Sequence, residues 1–552
     1  MESKLSFASD RDHRFKSGQD LPALLFITLI FTGFFYPALF EGKTFFFRDI
    51  LHFSYPMKHF IWKNFQEGIL PLWWPEIYSG IPFQPLLQPG VFYPVSLVFF
   101  MKDISLAYNL FFLSQHFILM VSVYFLVRYW GLSSWAGTFA SVASLLGGYF
   151  LSIAAIHNHF QSVVWMPLIF IFFQRYLEQG QVRYFILMVL FITVQTLGGS
   201  PENCLLTIVL VYAHSIFTVK NERFGIIEKT VALAGATLLA LGLSAVQLFP
   251  TYFVLEQATR GEGMPIEQAT RWSLGARVLA TIVLPEKWVM FMAGSSISNN
   301  MSYFFPSLYM GLIPIFFLFT GFFLCRRREA LFWVIVFWAG IFLAMGKYNP
   351  AYEFLFNWVP LFDMFRYPQK FLFLSAFALV FLVGYGMDYL ALMIRRNELS
   401  IKILLIMVAG MSVLMFLAGY WGTDSEIYGG LLFLLLFGLL VAGTIHKLFR
   451  PSTFQFLALI FFVTELWMRN SVLSPMITKE FFTQPPEITK KIPKEEDLYR
   501  LYTGNLYEKK LQSKIRFPRE KNLLFVHLAV KDRLYPNFGT IYGFSYVDGL
   551  AG

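Results

Sequence analysis

Charge is scarce in this chain. Asp, Glu, Lys and Arg make up 14% of its 552 residues, against about 25% in an ordinary soluble domain, and that shortfall points away from a soluble protein and toward the membrane. Cysteine is scarcer still. Cys204 and Cys325 are the only two, too few for a disulfide framework and without a metal-ligand spacing. The spans read below set them near opposite faces of a membrane, which geometrically excludes a bridge. A cleavage site is also lacking: no small-residue signal follows the first apolar run, 21–40. That run therefore reads as an uncleaved signal-anchor rather than a removable signal peptide.

What the chain has in quantity is apolar surface. It is 57% hydrophobic, with 66 phenylalanines and a mean hydropathy of +0.57. The net charge of +10 would suggest nucleic acid in a soluble protein. In a membrane protein a positive-inside bias explains it more simply, and no nucleic-acid partner is expected. Apolar runs fall at 21–40, 104–127, 132–156, 161–177, 182–199, 202–219, 229–254, 304–325, 330–345, 370–393, 402–420, 427–449 and 453–468. Each is near the length that spans a bilayer. The expected fold is thus an all-α polytopic membrane protein with about thirteen transmembrane helices. The run 91–101 is too short to span and reads as re-entrant or interfacial.

Charge orients the spans. With the N-terminus inside, the predicted cytoplasmic connections hold Arg128; Arg175 and Arg183; Lys220, Arg223 and Lys229; Arg326, Arg327 and Arg328; Arg395, Arg396 and Lys402; and Lys447 and Arg450. The short outer connections HNHF, GGSPEN and GTDSEI carry no Lys or Arg, as the positive-inside rule requires. The expected division is a cytoplasmic stretch 1–20, a membrane domain 21–469 and an extracytoplasmic segment 470–552. Within the membrane domain, long outer segments lie at 41–103, 255–303 and 346–369. All polar segments long enough to build a site then share one face of the membrane. The tail alternates short β-like runs (DLYRLYTG, NLLFVHLAV, TIYGFSYV) with turns, the pattern of a small β-rich module.

The outer segments carry the candidate chemistry. Asp49 opens the first, within FFFRDILHFSYP. Beside the bilayer, an acid is suited to take a proton from an acceptor hydroxyl; the alternative is a helix cap or a pair with Arg48 or Lys43. Ile50, Leu51, Phe53, Met57, Phe60, Ile61 and Phe65 recur at helical spacing, with Lys58, Lys63 and Asn64 elsewhere. That pattern predicts a helix lying in the interface, bent or restarted at Pro56. His52, His157, Asn158, His159 and Glu202 are candidates to line the same site. A His-x-His with nearby acids can hold a divalent cation, but hydrogen-bonded turn residues are the favoured reading, and no metal ligands are assigned. Glu202 is also placed to cap the sixth span. Arg366 and Lys370 stand four residues apart before an apolar span, as a phosphate clamp would or as cations snorkelling to headgroups. The segment 255–303 reads as a surface loop able to act as a lid.

The stretches FFFRDILHFSYP, GILPLWWPEIYSGIPF, LQPGVFYPVSLV, GGSPEN, SLYMGLIPIFF, AMGKYNPAYEFLFNWVPLFDMFRYPQKFLFL, GYGMDYL and LYPNFGTIYGFSYVDGL resemble the YfhO-like bacterial membrane proteins, within the GT-C class of polytopic glycosyltransferases. The resemblance covers most of 41–390 and the end of the tail. It implies a GT-C-like helical bundle using a polyprenyl-phosphate-linked sugar at the outer face. An acid in the first outer loop is then the expected base, the position Asp49 holds. Envelope glycans or lipids are the implied acceptors. The family pattern has a longer outer C-terminal region, and a neutral residue is commoner at Glu202. Two other classes compete: a lipid or polysaccharide flippase, and a non-catalytic partner in envelope assembly. Transporters usually place charged or helix-breaking residues at mid-membrane, whereas the polar features here gather at one surface.

Overall fold

The computed structural model describes residues 17–218, 224–257, 264–275, 279, 282, 304–305, 307–324, 328–359, 362–396, 424–492, 499–502, 531–532, 534 and 537–548. Most of these residues lie in helices, built where apolar runs supply no competing polar side chains. Their ends are set by identifiable groups. The Asp103 side chain accepts from the backbone N–H of Ser105 and Leu106 and starts the Ile104–Tyr129 helix, satisfying donors that would otherwise be orphaned. Ser133 caps Ser134–Leu146 in the same way, and Asp388 accepts from the Ser133 N–H at 2.7 Å. The acid of GYGMDYL thus reinforces a helix start contributed by a distant part of the chain. Gly386 of that motif lets the Leu372–Arg395 helix press on Phe317, because a Cβ there would lie 2.2 Å from the ring.

Among the described residues five helices are long and apolar enough to cross a membrane by length and composition, or six if one bent pair is a single span. The reading of about thirteen spans is not reproduced by that criterion. Several expected spans form shorter helices, such as Val182–Leu197 and Pro201–Phe217, and 402–420 lies outside the described residues. Others are broken. The run 132–156 bends by 44° between Ser134–Leu146 and Gly148–Ala154. The Gly148 N–H donates to Tyr309 O at 2.7 Å instead of staying within its own helix, and Cβ atoms at Gly147 and Gly148 would lie 2.6 Å from Met310 Sδ and 2.5 Å from Ser307 Oγ. The inserted segment 307–310 is the cause of the kink. Glu465 anchors that segment by accepting from the Leu312 N–H at 3.0 Å and from the Tyr309 hydroxyl.

The end of the bundle that carries Asp20 and Arg128 is closed by a buried ion pair. Arg128 Nε lies 2.6 Å from Asp20 Oδ1, to which the Tyr124 hydroxyl also donates at 2.7 Å. At the opposite end the first outer segment folds onto the tail. Strand Lys43–Phe45 pairs antiparallel with Met476–Thr478, Lys43 facing Thr478. A second two-stranded ribbon joins Trp73–Trp74 to Ile81–Pro82. Tyr546 N–H then donates to Glu76 O at 2.6 Å, and Phe538 is buried against Phe481 and Phe482.

Two expectations are not reproduced by this arrangement. Among the described residues the tail shows little β structure: it has one three-residue strand, a short helix, 3-10 turns and an isolated bridge from Leu501 to Tyr546. TIYGFSYV contributes a 3-10 turn and that bridge; its rings pack within the tail while its backbone bonds to the first outer segment through Tyr546, and NLLFVHLAV lies outside the described residues. The helix after Asp49 is also not one lying on an interface. It comprises a π-turn, Ile50–Ser54, and a helix, Tyr55–Gln66, restarted at Pro56, and most of its length is buried. Lys58 is 1% exposed, its ammonium donating to Pro89 O at 2.6 Å and lying 4.0 Å from the Phe111 ring centroid. Burial pushes that ammonium well below the usual lysine range. The run 91–101 forms a 3-10 helix, Pro94–Phe100. Most of 276–303 is outside the described residues, and with it the expected lid.

Candidate functional site

One aromatic residue joins the segments that carry several of the predicted site residues. Phe304 accepts at its carbonyl from Arg48 Nη2 at 3.0 Å and donates its N–H to Gln369 Oε1 at 2.8 Å. Its ring meets His159 edge-on at 5.9 Å and lies 5.3 Å from both Trp272 and Tyr367. The first outer segment, the helix that starts at His157, and the FRYPQK segment therefore converge on it, although up to 256 residues separate them in sequence.

Asp49 is presented by the turn beside Arg48. It precedes the π-turn in helical backbone but accepts no capping hydrogen bond, so the capping alternative is not realised. Its side chain is half-buried. Burial pushes the carboxyl above its ordinary value, and the neighbouring Arg48 charge pulls it partly back. A raised carboxyl next to a cation suits proton abstraction better than a solvated one does. The π-turn that follows is a rare element, found mostly at functional sites.

Glu202 and Lys370 meet. The Lys370 ammonium lies 2.5 Å from Glu202 Oε1, with its side chain 9% exposed, so it does not snorkel to headgroups. Glu202 sits in the first turn of Pro201–Phe217, where the helix dipole favours a negative charge. The preceding turn is possible because Gly199 adopts φ +89° and approaches the first outer segment closely; a Cβ there would lie 2.2 Å from Leu87 O. GGSPEN and LQPG are thereby packed together. Ser200 Oγ donates to Glu202 Oε2 at 3.1 Å and lies 2.9 Å from His159 Nδ1, with Asn203 Nδ2 also 3.3 Å from that nitrogen. Asn158 Nδ2 donates to Gly199 O at 3.3 Å. Arg366 lies 4.4 Å from the Tyr367 ring centroid, and the Lys370 ammonium 5.6 Å from it.

Other candidates are placed differently. His157 and His159 occupy the first turn of a helix, His157–Val163, rather than a tight loop, and their rings diverge. His157 Nε2 lies 3.2 Å from the Tyr108 hydroxyl, among Phe111 and Phe112. His52 meets the tail through its carbonyl, which accepts from Asn537 Nδ2 at 3.3 Å. Burial lowers its imidazole to about 4, so it is neutral near pH 7. Among the described residues no three His, Cys, Asp or Glu side chains stand close enough to hold a metal ion, and the paired histidines do not fit one. Trp272, Phe304, Tyr367 and Gln369 are the residues that sequence reasoning missed. Trp272 offered one signal, a lone aromatic in an otherwise polar stretch.

The apolar helices and the polar site gathered at one end of the bundle define a polytopic membrane protein. The sequence model of the bacterial membrane protein YfhO family matches residues 87–519, and the chain belongs to that family. No curated protein matches it. Among solved structures, it is similar to ArnT from Cupriavidus metallidurans bound to undecaprenyl phosphate, at 12% identity, TM-score 0.45, and 94% and 89% coverage of this chain and that one. The apo state of ArnT is similar at 13% identity, TM-score 0.47, and 93% and 89% coverage. The apo Archaeoglobus fulgidus oligosaccharyltransferase is similar at 12% identity, TM-score 0.40, covering 94% of this chain and 61% of that one. At these scores the likenesses carry no argument about activity.

Proposed function

We propose that this protein is a membrane-embedded glycosyltransferase with a GT-C-like bundle. It moves a sugar from a polyprenyl-phosphate donor to an envelope glycan or lipid acceptor at the extracytoplasmic face of the inner membrane. Its N-terminus lies inside and its C-terminus outside. Asp49 is the general base that takes the proton of the acceptor hydroxyl. Arg366 and Lys370 hold the donor phosphate, Lys370 being kept in place by Glu202 until the phosphate arrives. His159, with Ser200 and Asn203, braces that pair.

The observation that carries the reading is the convergence on Phe304. Arg48 and Gln369, the residues next to Asp49 and Lys370, hydrogen-bond to that one residue from separate parts of the chain, and the Asp49 carboxyl is held above its ordinary value. Transfer from a lipid phosphate needs both, a base at the acceptor and fixed positive charge at the departing phosphate. The family resemblance of the sequence supports the same class. A transport reading gains less from the structure, because buried Glu465 serves to cap an inserted segment and not to line a described pathway.

The test measures labelled sugar passing from polyprenyl-phosphate donors into membrane acceptors. Wild type should transfer label, and Asp49→Asn should lower the rate by about 10²- to 10⁴-fold, the usual weight of a positioned base. Equal rates would remove Asp49 from the role. Movement of the donor across sealed vesicles without product would favour a flippase.

A further inference from the structure

Three non-glycine residues with left-handed backbone surround Phe304. Arg48 has φ 55°, Trp272 φ 59° and Tyr367 φ 70°, and each touches Phe304 as described. Such conformations cost about 1–3 kcal/mol apiece, persist only where the surroundings over-determine them, and cluster at ligand clamps. Tyr367 is the more unusual for preceding Pro368, where extended backbone with negative φ is the rule. Its N–H is held by Ala269 O at 2.9 Å, and Leu274 N–H by Ala344 O at 2.8 Å, so 264–275 is sewn both to the FRYPQK segment and to the end of the Arg328–Ala344 helix.

The two strained aromatic rings face one another closely, Trp272 and Tyr367 having centroids 4.2 Å apart. Cations flank both: Arg366 lies 4.4 Å from the Tyr367 ring and Arg271 5.1 Å from the Trp272 ring. Both aromatic residues remain half-buried, so part of each stays open. Trp272 Nε1, by contrast, is buried and has no hydrogen-bond partner among the described residues. A buried indole N–H normally finds an acceptor, and leaving one unmet costs about 1–3 kcal/mol. An unmet donor beside half-open aromatic rings and two guanidiniums describes a site for something with an apolar face, a hydroxyl and an adjoining anion.

We propose that Trp272 and Tyr367 form the platform for the donor's sugar. The rings take the C–H face of a pyranose, Trp272 Nε1 donates to one of its hydroxyls, and Arg271 joins Arg366 in attracting the attached phosphate. This inference rests on the glycosyltransferase reading and names the part of the donor that the platform recognises.

The test titrates the full chain in detergent with undecaprenyl phosphate, then with the same lipid phosphate carrying glucose, galactose or N-acetylglucosamine. Wild type should bind at least one sugar-bearing lipid more tightly than the bare phosphate. Trp272→Leu should erase that preference, about a tenfold change for one stacking contact and one hydrogen bond, while its affinity for the bare lipid phosphate stays at the wild-type value. Trp272→Phe, which keeps a ring and loses only the N–H, should retain part of the preference. A preference that survives Trp272→Leu, an equal loss for bare and sugar-bearing lipids, or no sugar preference in wild type would each overturn the platform while leaving phosphate binding standing. Failure of wild type to bind any of these lipids would bring down the glycosyltransferase reading itself.

Discussion

Both ends of the bundle bury charge, and they do so in opposite ways. Around Asp20 every charged group is answered: Arg128 and Tyr124 converge on one carboxylate, and Asp388 secures the nearby helix start. Around Phe304 the backbone is strained at three residues, an indole N–H is unmet, and the Asp49 carboxyl is desolvated without being used as a cap. The first arrangement is what stability alone selects. The second has costs that its own contacts do not offset, the usual mark of a surface shaped for a ligand.

The contrast can be broken most sharply at its two acids. Asp49→Asn should abolish nearly all transfer, by about 10²- to 10⁴-fold, with little change in thermal unfolding in detergent; a large drop in Tm would make Asp49 a structural acid like Asp20. Arg128→Met should do the reverse. It strands a buried carboxylate and should cost about 3–5 kcal/mol of stability, read by the same unfolding measurement, and an unchanged Tm would deny that this end is the stabilising one. Between the two regions in size is Gly346→Ala. Gly346 has φ +48°, and a Cβ there would sit 2.2 Å from Ser273 Oγ and 2.5 Å from Pro368 Cγ. The substitution should cost about 1–3 kcal/mol and weaken donor binding by disturbing the segment that holds Tyr367. Undisturbed binding would show that the strained geometry is not needed.

The smallest effect is in pH. A base acts only when ionised, so transfer should rise as pH climbs through the raised pKa of Asp49. The sign for stability is opposite. With its folded pKa raised by burial, Asp49 contributes stability that is present below the ordinary aspartate value and lost as pH rises through the folded one. Arg48→Gln removes the charge that lowers this pKa and should move the rise in activity to higher pH. A profile that stays in place would mean that another group titrates.

Much of the site was legible in the sequence, but only as separate pieces. Asp49, His159, Glu202, Arg366 and Lys370 stand out as polar residues at the ends of apolar runs; the structure brings His159, Glu202 and Lys370 together and joins the neighbours of Asp49 and Lys370 through Phe304. Their pairing was not legible. Glu202 and Lys370 lie 168 residues apart, and nothing local to either marks the other as its partner. Lys58 was misplaced for a related reason: helical periodicity shows which side of a helix is polar, not that Pro89 and Phe111 will close over it. Phe304 was hidden because one more phenylalanine among 66 carries no contrast, whereas Trp272 stood out only as a lone ring in a polar stretch, with nothing local to mark its partners. The spans were legible as apolar runs but not as lengths, since the break at Gly147 depends on a segment more than 150 residues away.

The pairing of Lys43–Phe45 with Met476–Thr478 has a consequence for how the protein matures. The ribosome makes the Asp49 turn early, yet the strand beside it has no mate until the last long helix has been synthesised and inserted. A chain stopped before Met476 would hold its helices in the lipid with that ribbon unformed. Completion of that ribbon therefore waits until Met476–Thr478 has been synthesised.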